Sequence, residues 1–211
     1  MARGRFITFE GEEGAGKSTH ARRLADALAA IDIDALVTRE PGGSPGAEEV
    51  RALLVTGTTG RWSPMTEALL HYAARRDHLD RTVLPALDDG RWVISDRFAD
   101  STLVYQGYGL GLDGESIRRL HRLVVGEVVP DLTIILDLSV DVGLLRASAR
   151  TGAEDRYERM DMAFHHRLRD GFLDIARREP ERCVVVDAEG AVEDVERAIR
   201  AAVAERLGVR L

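Results

Sequence analysis

The sequence predicts an α/β fold built on a parallel sheet, and three features carry that prediction. Five short β-branched runs alternate with segments long enough for a helix, the runs are apolar on both faces, and a glycine-rich motif joins the first run to the first helical segment. At 211 residues, the chain is long enough to bury such a core, and residues 1–211 read as one domain.

The first run, RFITFE at residues 5–10, leads into a segment where Leu24, Leu28 and Ile31 recur at helical spacing, as a helix packing on a sheet requires. ALVTRE at 35–40 is the second strand. RWVISD at 91–96 and LTIILDL at 132–138 are the third and fourth, each preceded by helix-length chain. RCVVVDA at 182–188 is the fifth, and Val192, Val195, Ile199 and Val203 then mark one face of a last helix.

Composition narrows the partners. With 45% hydrophobic and 31% charged residues, the chain has the balance of a soluble globular protein, and no apolar run approaches the ~20 residues of a membrane span. The strand at residue 5 leaves no room for the charged-then-apolar pattern of a signal peptide, so the expected compartment is the cytoplasm. Cys183 is the only cysteine and reads as a small buried hydrophobe. A net charge of -7 argues against nucleic acid as a partner, while leaving room for a local cationic pocket that takes a small phosphate ester.

Gly11, Gly16, Lys17 and Ser18 fit G-x-x-x-x-G-K-[ST] between a strand and a helix, the setting in which this motif binds a nucleoside triphosphate. Glycine lets backbone N–H groups approach phosphate oxygens, the helix N-terminus faces them, and the Ser18 hydroxyl can serve Mg²⁺. The expected ATP site is Gly11, Glu12, Glu13, Gly14, Ala15, Gly16, Lys17, Ser18 and Thr19. Lys17 is the only lysine in a chain with 29 Lys and Arg residues together. A compact ammonium is retained where a planar guanidinium does not fit. The chain has no asparagine, so it lacks the Asn-Lys-x-Asp guanine reader of switch GTPases. Its length favours a small-metabolite kinase over a motor ATPase.

Five segments in order, FEGEEGAGKST, TREPGG, LLHYAARRDHL, DRFADSTLVYQG and ARTGAEDRYE, make the sequence resemble the thymidylate kinase family along nearly its whole length. The resemblance implies a P-loop nucleoside monophosphate kinase fold, a five-stranded parallel sheet of order 23145 with helices on both faces. It implies Mg²⁺-dependent transfer of the γ-phosphoryl of ATP to dTMP, giving dTDP, by a homodimer that acts on small molecules, with no nucleic acid and no membrane as partners.

It also implies roles for residues. Arg97 and Arg51 would hold the acceptor phosphate, with Asp96 beside the Mg²⁺ network and Pro41, in a peptide often cis in the family, close to the acceptor. Arg75 would bond thymine O4, Thr102 the N3 edge, and Tyr105 would lie against the deoxyribose, with Ser101 and Gln106 of the same segment also binding dTMP. His71 stands where the family usually has a stacking phenylalanine, and an imidazole there titrates near neutral pH. Glu13 would accept the 3′-hydroxyl of the acceptor, while Glu12 reads as solvated.

A lid at about 146–160 would carry the catalytic charge on Arg146, Arg150 and Arg156, because Glu12 and Glu13 leave the P-loop with no cation beyond Lys17. Tyr157 and Glu158 follow as hinge or acceptor contacts. Two alternatives stay open: a deoxynucleoside kinase of related fold, against which Arg51 and Arg97 argue, and a non-catalytic NTP-binding protein.

Overall fold

The computed structural model describes residues 3–149 and 156–211. β1 (Phe6–Gly11) enters α1 (Lys17–Ala29), and β2 (Ala35–Arg39) is followed by α2 (Pro45–Val55) and α3 (Pro64–His78). A π-helical turn, Leu79–Val83, carries α3 into α4 (Leu84–Asp88) and then β3 (Trp92–Asp96). The short α5 (Ala99–Thr102) runs into a second π-helical turn, Leu103–Gly109, followed by α6 (Gly114–Val124) and β4 (Leu132–Asp137). The described part of the chain closes with α7 (Val140–Ser148), α8 (Met162–Arg178), β5 (Cys183–Asp187) and α9 (Val192–Leu207).

All strand pairs are parallel, and the order is β2-β3-β1-β4-β5, as the family resemblance implied. Phe6 lies opposite Val93, and Ile7 lies opposite Leu132, so β1 is the centre of the sheet. Alternation sorts its side chains: Ile7 and Phe9 join Leu24, Leu28, Val195, Ile199 and Val203 under α1 and α9. Phe6 packs with Tyr72, Val93, Phe98 and Ile117 beneath α3 and α6, and Phe164, Leu168 and Phe172 of α8 cover Ile135 and Cys183. Truncating any one of these large side chains to alanine costs about 2–5 kcal/mol.

Local chemistry sets the helix ends. Ser63, Asp113 and Asp161 accept the N–H groups of Thr66, Ser116 and Phe164, satisfying donors at the starts of α3, α6 and α8. Two expected face positions differ from the sequence reading. Ile31 lies beyond the end of α1, in a turn closed by the Ile33 N–H on the Leu28 carbonyl, and is 38% exposed. Val192 is the first residue of α9 and is also exposed, before the helix reaches the sheet. Cys183 is buried, as expected.

Because β1 has β3 on one side and β4 on the other, the connections leave the sheet in opposite directions at its carboxyl edge. A crevice opens there, which is where doubly wound sheets bind ligands.

Candidate functional site

The crevice is a cleft of about 1040 Å³, and its walls come from the P-loop, the ends of β2 and β3, α3, and the segment after Arg156. That is at the upper end of the roughly 300–1,000 Å³ that ligand clefts span. Gly16 takes φ 87 and caps α1, so the first N–H groups of the helix, which no helical carbonyl can reach, open beside Gly14, Gly16, Lys17, Ser18 and Thr19. Gly14 has φ 75, and a Cβ there would lie 2.1 Å from the Gly143 carbonyl oxygen of α7. Only glycine closes this contact.

Lys17 is 7% exposed, and its ammonium donates to the carbonyls of Gly11 at 3.2 Å and Glu12 at 2.6 Å. Burial, with Arg97 nearby, pushes its pKa down to about 8. The Ser18 hydroxyl donates to the Asp96 carboxylate, joining the start of α1 to the end of β3. Gly11, Glu12 and Ala15 do not line the cleft and instead form the buried underside of the loop. Glu12 corrects the sequence reading: it is buried rather than solvated, 3.8 Å from His165, and burial raises its pKa to about 7. A carboxylate turned beneath the loop does not face the phosphates that the loop would bind.

Across from the P-loop, Arg97 is one of two non-glycine residues with positive φ, at 72, among those described. Its guanidinium donates to Glu13 at 2.8 Å, the Tyr105 hydroxyl at 2.9 Å, the Gly11 carbonyl at 3.0 Å and Ser101 at 3.1 Å. Burial works against its charge, but Tyr105, Glu13 and Asp96 more than offset that and raise its pKa. Beneath it, Glu10 accepts the N–H of Phe98 at 2.8 Å and the Ser101 hydroxyl at 2.6 Å, holding the start of α5. Burial and Asp100 lift the Glu10 pKa to about 7. Arg51 of α2 donates to the Pro41 carbonyl at 2.7 Å, and the Glu40–Pro41 peptide is cis. Arg51, Pro41, Arg97, Ser101 and Tyr105 all line the cleft.

The far end of the cleft is a polar pocket. Arg75 is 2% exposed and donates to Glu40 at 2.7 Å, Thr102 at 3.0 Å and the Phe98 carbonyl at 3.0 Å. That accounts for three of the five N–H donors a guanidinium carries. Thr102 corrects the sequence reading: it does not line the cleft, and its oxygen accepts from Arg75. Gln106 does line it, and its Oε1 is buried without a hydrogen-bond partner among the described residues. The family resemblance placed Gln106 among the acceptor contacts, and composition marks it as well. It is the only side-chain carboxamide in the chain, an exception of the same kind as Lys17.

His71 also lines this pocket, with its Nε2 3.2 Å from the Tyr157 hydroxyl. Burial, then the surrounding Arg75, Arg97, Arg156 and Arg51, push its pKa down to about 3. It is neutral at neutral pH, against the expectation that it titrates there. Tyr157, expected as a hinge or acceptor contact, lines the cleft and packs edge-on to Tyr105, with ring centroids 5.3 Å apart.

Arg146 and Arg156 do not converge as their spacing suggested. Arg146 lines the cleft but turns to the carbonyls of Ala188 at 3.0 Å and Glu189 at 3.2 Å, beyond β5. Arg156 is buried and donates to the carbonyls of Leu54, Thr58 and Thr59 and to Glu67. Its charge is held by α2, the following loop and α3, away from the cleft. Arg150 lies outside the described residues.

The cleft thus joins a phosphate-binding loop, a second cluster of cationic groups, and a pocket that pairs fixed donors with one unpartnered acceptor. The family model for "Thymidylate kinase" matches residues 9–199. A thymidylate kinase of Caulobacter vibrioides is 57% identical over 99% of this chain and 100% of its own length. One of Nitrobacter winogradskyi is 51% identical over 97% of this chain and 90% of its own. The crystal structure of a thymidylate kinase from Ehrlichia chaffeensis superposes with a TM-score of 0.77 at 37% identity, covering 95% of this chain and 99% of that one. With its P-loop, its opposing arginine cluster and relatives matching end to end, this chain belongs to the thymidylate kinase family.

Proposed function

We propose that this protein transfers the γ-phosphoryl of ATP to the phosphate of dTMP, giving dTDP and ADP. The observation that carries this reading is that Lys17 and Arg97 line one cleft, both donating to the Gly11 carbonyl, and that Arg75 and Gln106 line it too. One cation serves the donor phosphates and another the acceptor phosphate. The acceptor attacks with an oxygen that is already anionic, so no general base is required, and the protein positions the two phosphates in line and neutralises charge.

The acceptor pocket matches thymine group by group. O4 is an acceptor and meets the remaining Arg75 N–H groups; N3–H is a donor and meets the unpartnered Gln106 Oε1. Neutral His71 offers a ring face to the base, and Tyr105 the deoxyribose wall. Glu13 is the acceptor for the 3′-hydroxyl, steadied by Arg97 and Tyr105.

Among the described residues, no three carboxylate, histidine or cysteine side chains cluster as a dedicated metal cage. The Ser18 hydroxyl and Asp96 carboxylate are hard oxygen donors in contact, the small protein set Mg²⁺ uses when phosphates and waters supply the rest. These two residues would hold Mg²⁺, which supplies charge neutralisation between the β- and γ-phosphates when bound.

Arg150 is the proposed lid cation for the transferring phosphoryl, on a lid at about 146–160 of a single domain. Arg146, at the cleft edge near Ala188, belongs to the donor side. A homodimer in the cytoplasm completes the proposal. Exposed Leu53 of α2 and Met65 and Leu69 of α3 support the dimer, and no described helix is long and apolar enough to cross a membrane. A coupled ADP-release assay across the nucleoside monophosphates tests the reading. It expects dTMP over dCMP by roughly 10³-fold, since the cytosine 4-amino group and N3 each meet a like group. Comparable use of both, or of thymidine itself, overturns it.

A further inference from the structure

We infer that Glu67, which does not line the cleft, determines acceptor specificity by fixing the orientation of the Gln106 carboxamide. Glu67 is fully buried on α3. Its Oε1 accepts from Arg156, and its Oε2 accepts from the Tyr157 hydroxyl at 3.0 Å and from Gln106 Nε2 at 3.1 Å. A carboxylate paired with a guanidinium only accepts, so the end of Gln106 that faces it must be the NH₂. The Tyr157 oxygen, whose single proton goes to Glu67, also faces Gln106 Nε2 at 3.5 Å. A rotated carboxamide would set Oε1 against a carboxylate oxygen. The acceptor end of Gln106, a residue that lines the cleft, is therefore held away from Glu67, buried and without a partner among the described residues.

Which base fits follows from that lock. A thymine presents a donor at N3 and a cytosine an acceptor, so the carboxamide orientation decides which is paired and which meets a like group. Arg75 cannot change sign in response, because it only donates and is bonded on three sides. Glu67 is thus a positioning residue acting through Gln106. Arg156 sets which oxygen of Glu67 is left for Gln106, so a residue read from sequence as a phosphate ligand holds the far end of the base-reading chain.

This inference rests on the dTMP reading, and Glu67→Gln separates the two. In that variant Arg156 retains the carbonyl oxygen, so the new NH₂ faces Gln106 and draws its carbonyl inward, turning the carboxamide NH₂ into the cleft. The measurement is the ratio of kcat/KM for dTMP to that for dCMP within one preparation, which is independent of the folded fraction. The parent enzyme is expected to prefer dTMP strongly; parity there defeats the dTMP reading itself. Given that preference, E67Q is expected to lower the ratio by about tenfold or more, by weakening dTMP and improving dCMP. In a Q106L background, adding E67Q is expected to leave the ratio unchanged. If E67Q does not fold, E67D keeps a carboxylate for Arg156, withdraws it by one methylene from Gln106, and is expected to lower the ratio in the same direction. A ratio within threefold of the parent in E67Q, or in E67D where that is the variant measured, or an equal shift with and without Gln106, overturns the inference.

Discussion

Arg97 of the β3 edge and Glu13 of the P-loop meet at 2.8 Å, linking the two halves of the cleft through one half-buried ion pair. Arg97 holds this position in a left-handed backbone conformation, φ 72, which ordinary residues adopt at a cost of about 1–3 kcal/mol. Strain of this kind persists where surrounding bonds over-determine it, and here four partners hold the guanidinium.

Arg97→Ala removes an anchor present before and during transfer and leaves Glu13 without its guanidinium. The KM for dTMP is expected to rise on the order of 10²-fold, toward the lower end of the ~2–5 kcal/mol lost on truncating one partner of a hydrogen-bonded charge pair, since this one is half-buried. The fall in kcat is expected to be smaller. Steady-state kinetics with dTMP varied checks this, and a fall in kcat exceeding the rise in KM contradicts a ground-state anchor.

Lys17→Arg keeps the charge and uses the residue this chain uses elsewhere, yet turnover is expected to drop by about 10²-fold or more. The ammonium is enclosed by the Gly11 and Glu12 carbonyls, where a planar fork has no room. Near-parental phosphorylation of dTMP contradicts this account of the only lysine.

His71, with its pKa near 3 in the folded protein, binds no proton between about pH 4 and 8. The unfolded chain takes one up near pH 6.5, so this residue makes folding stability fall as pH drops below about 6.5. His71→Phe is expected to flatten that part of the stability profile in urea titrations. It is also expected to leave the pH dependence of kcat/KM for dTMP unaltered between pH 5.5 and 7.5. A transition near 6.5 that vanishes in the variant indicates a titrating imidazole instead.

Arg156→Ala and Arg150→Ala are expected to separate. Truncating Arg156 leaves buried Glu67 unpaired and is expected to destabilise the fold by about 3–5 kcal/mol, read by urea denaturation. Arg150→Ala is expected to lower kcat on the order of 10²-fold with little change in stability or dTMP affinity, as a group engaged in the transition state does. If Arg150→Ala leaves kcat within threefold of the parent, the lid is not the source of the missing charge.

Local pattern was enough for the five strands, the loop from Gly11 to Thr19 and the placing of Lys17 and Arg97 at the carboxyl edge of the sheet. Each depends on residues adjacent in the chain: alternation of apolar side chains, glycine spacing, and an Asp-Arg step where a buried strand ends. The same adjacency misled at Arg146 and Arg156, whose spacing suggested one shared phosphate. Arg156 instead reaches Glu67, 89 residues away, because the crossovers between strands lay the segment from Arg156 onward against α2 and α3. Thr102 and Gln106 differ for a related reason. Both belong to the run through α5 and its π-helical turn, and only the neighbours supplied by α3, Arg75 for one and Glu67 for the other, assign one to support and the other to the cleft. Glu12 and Glu13 are neighbours in one loop, yet one turns under it toward α8 and the other across it to β3. Sequence by itself determined which backbone and charge types this protein has and the order of its elements. The tertiary structure alone decided which of two equivalent side chains is buried, paired or turned to the ligand, because that choice is made by partners brought together across the sheet, and no local pattern encodes their proximity.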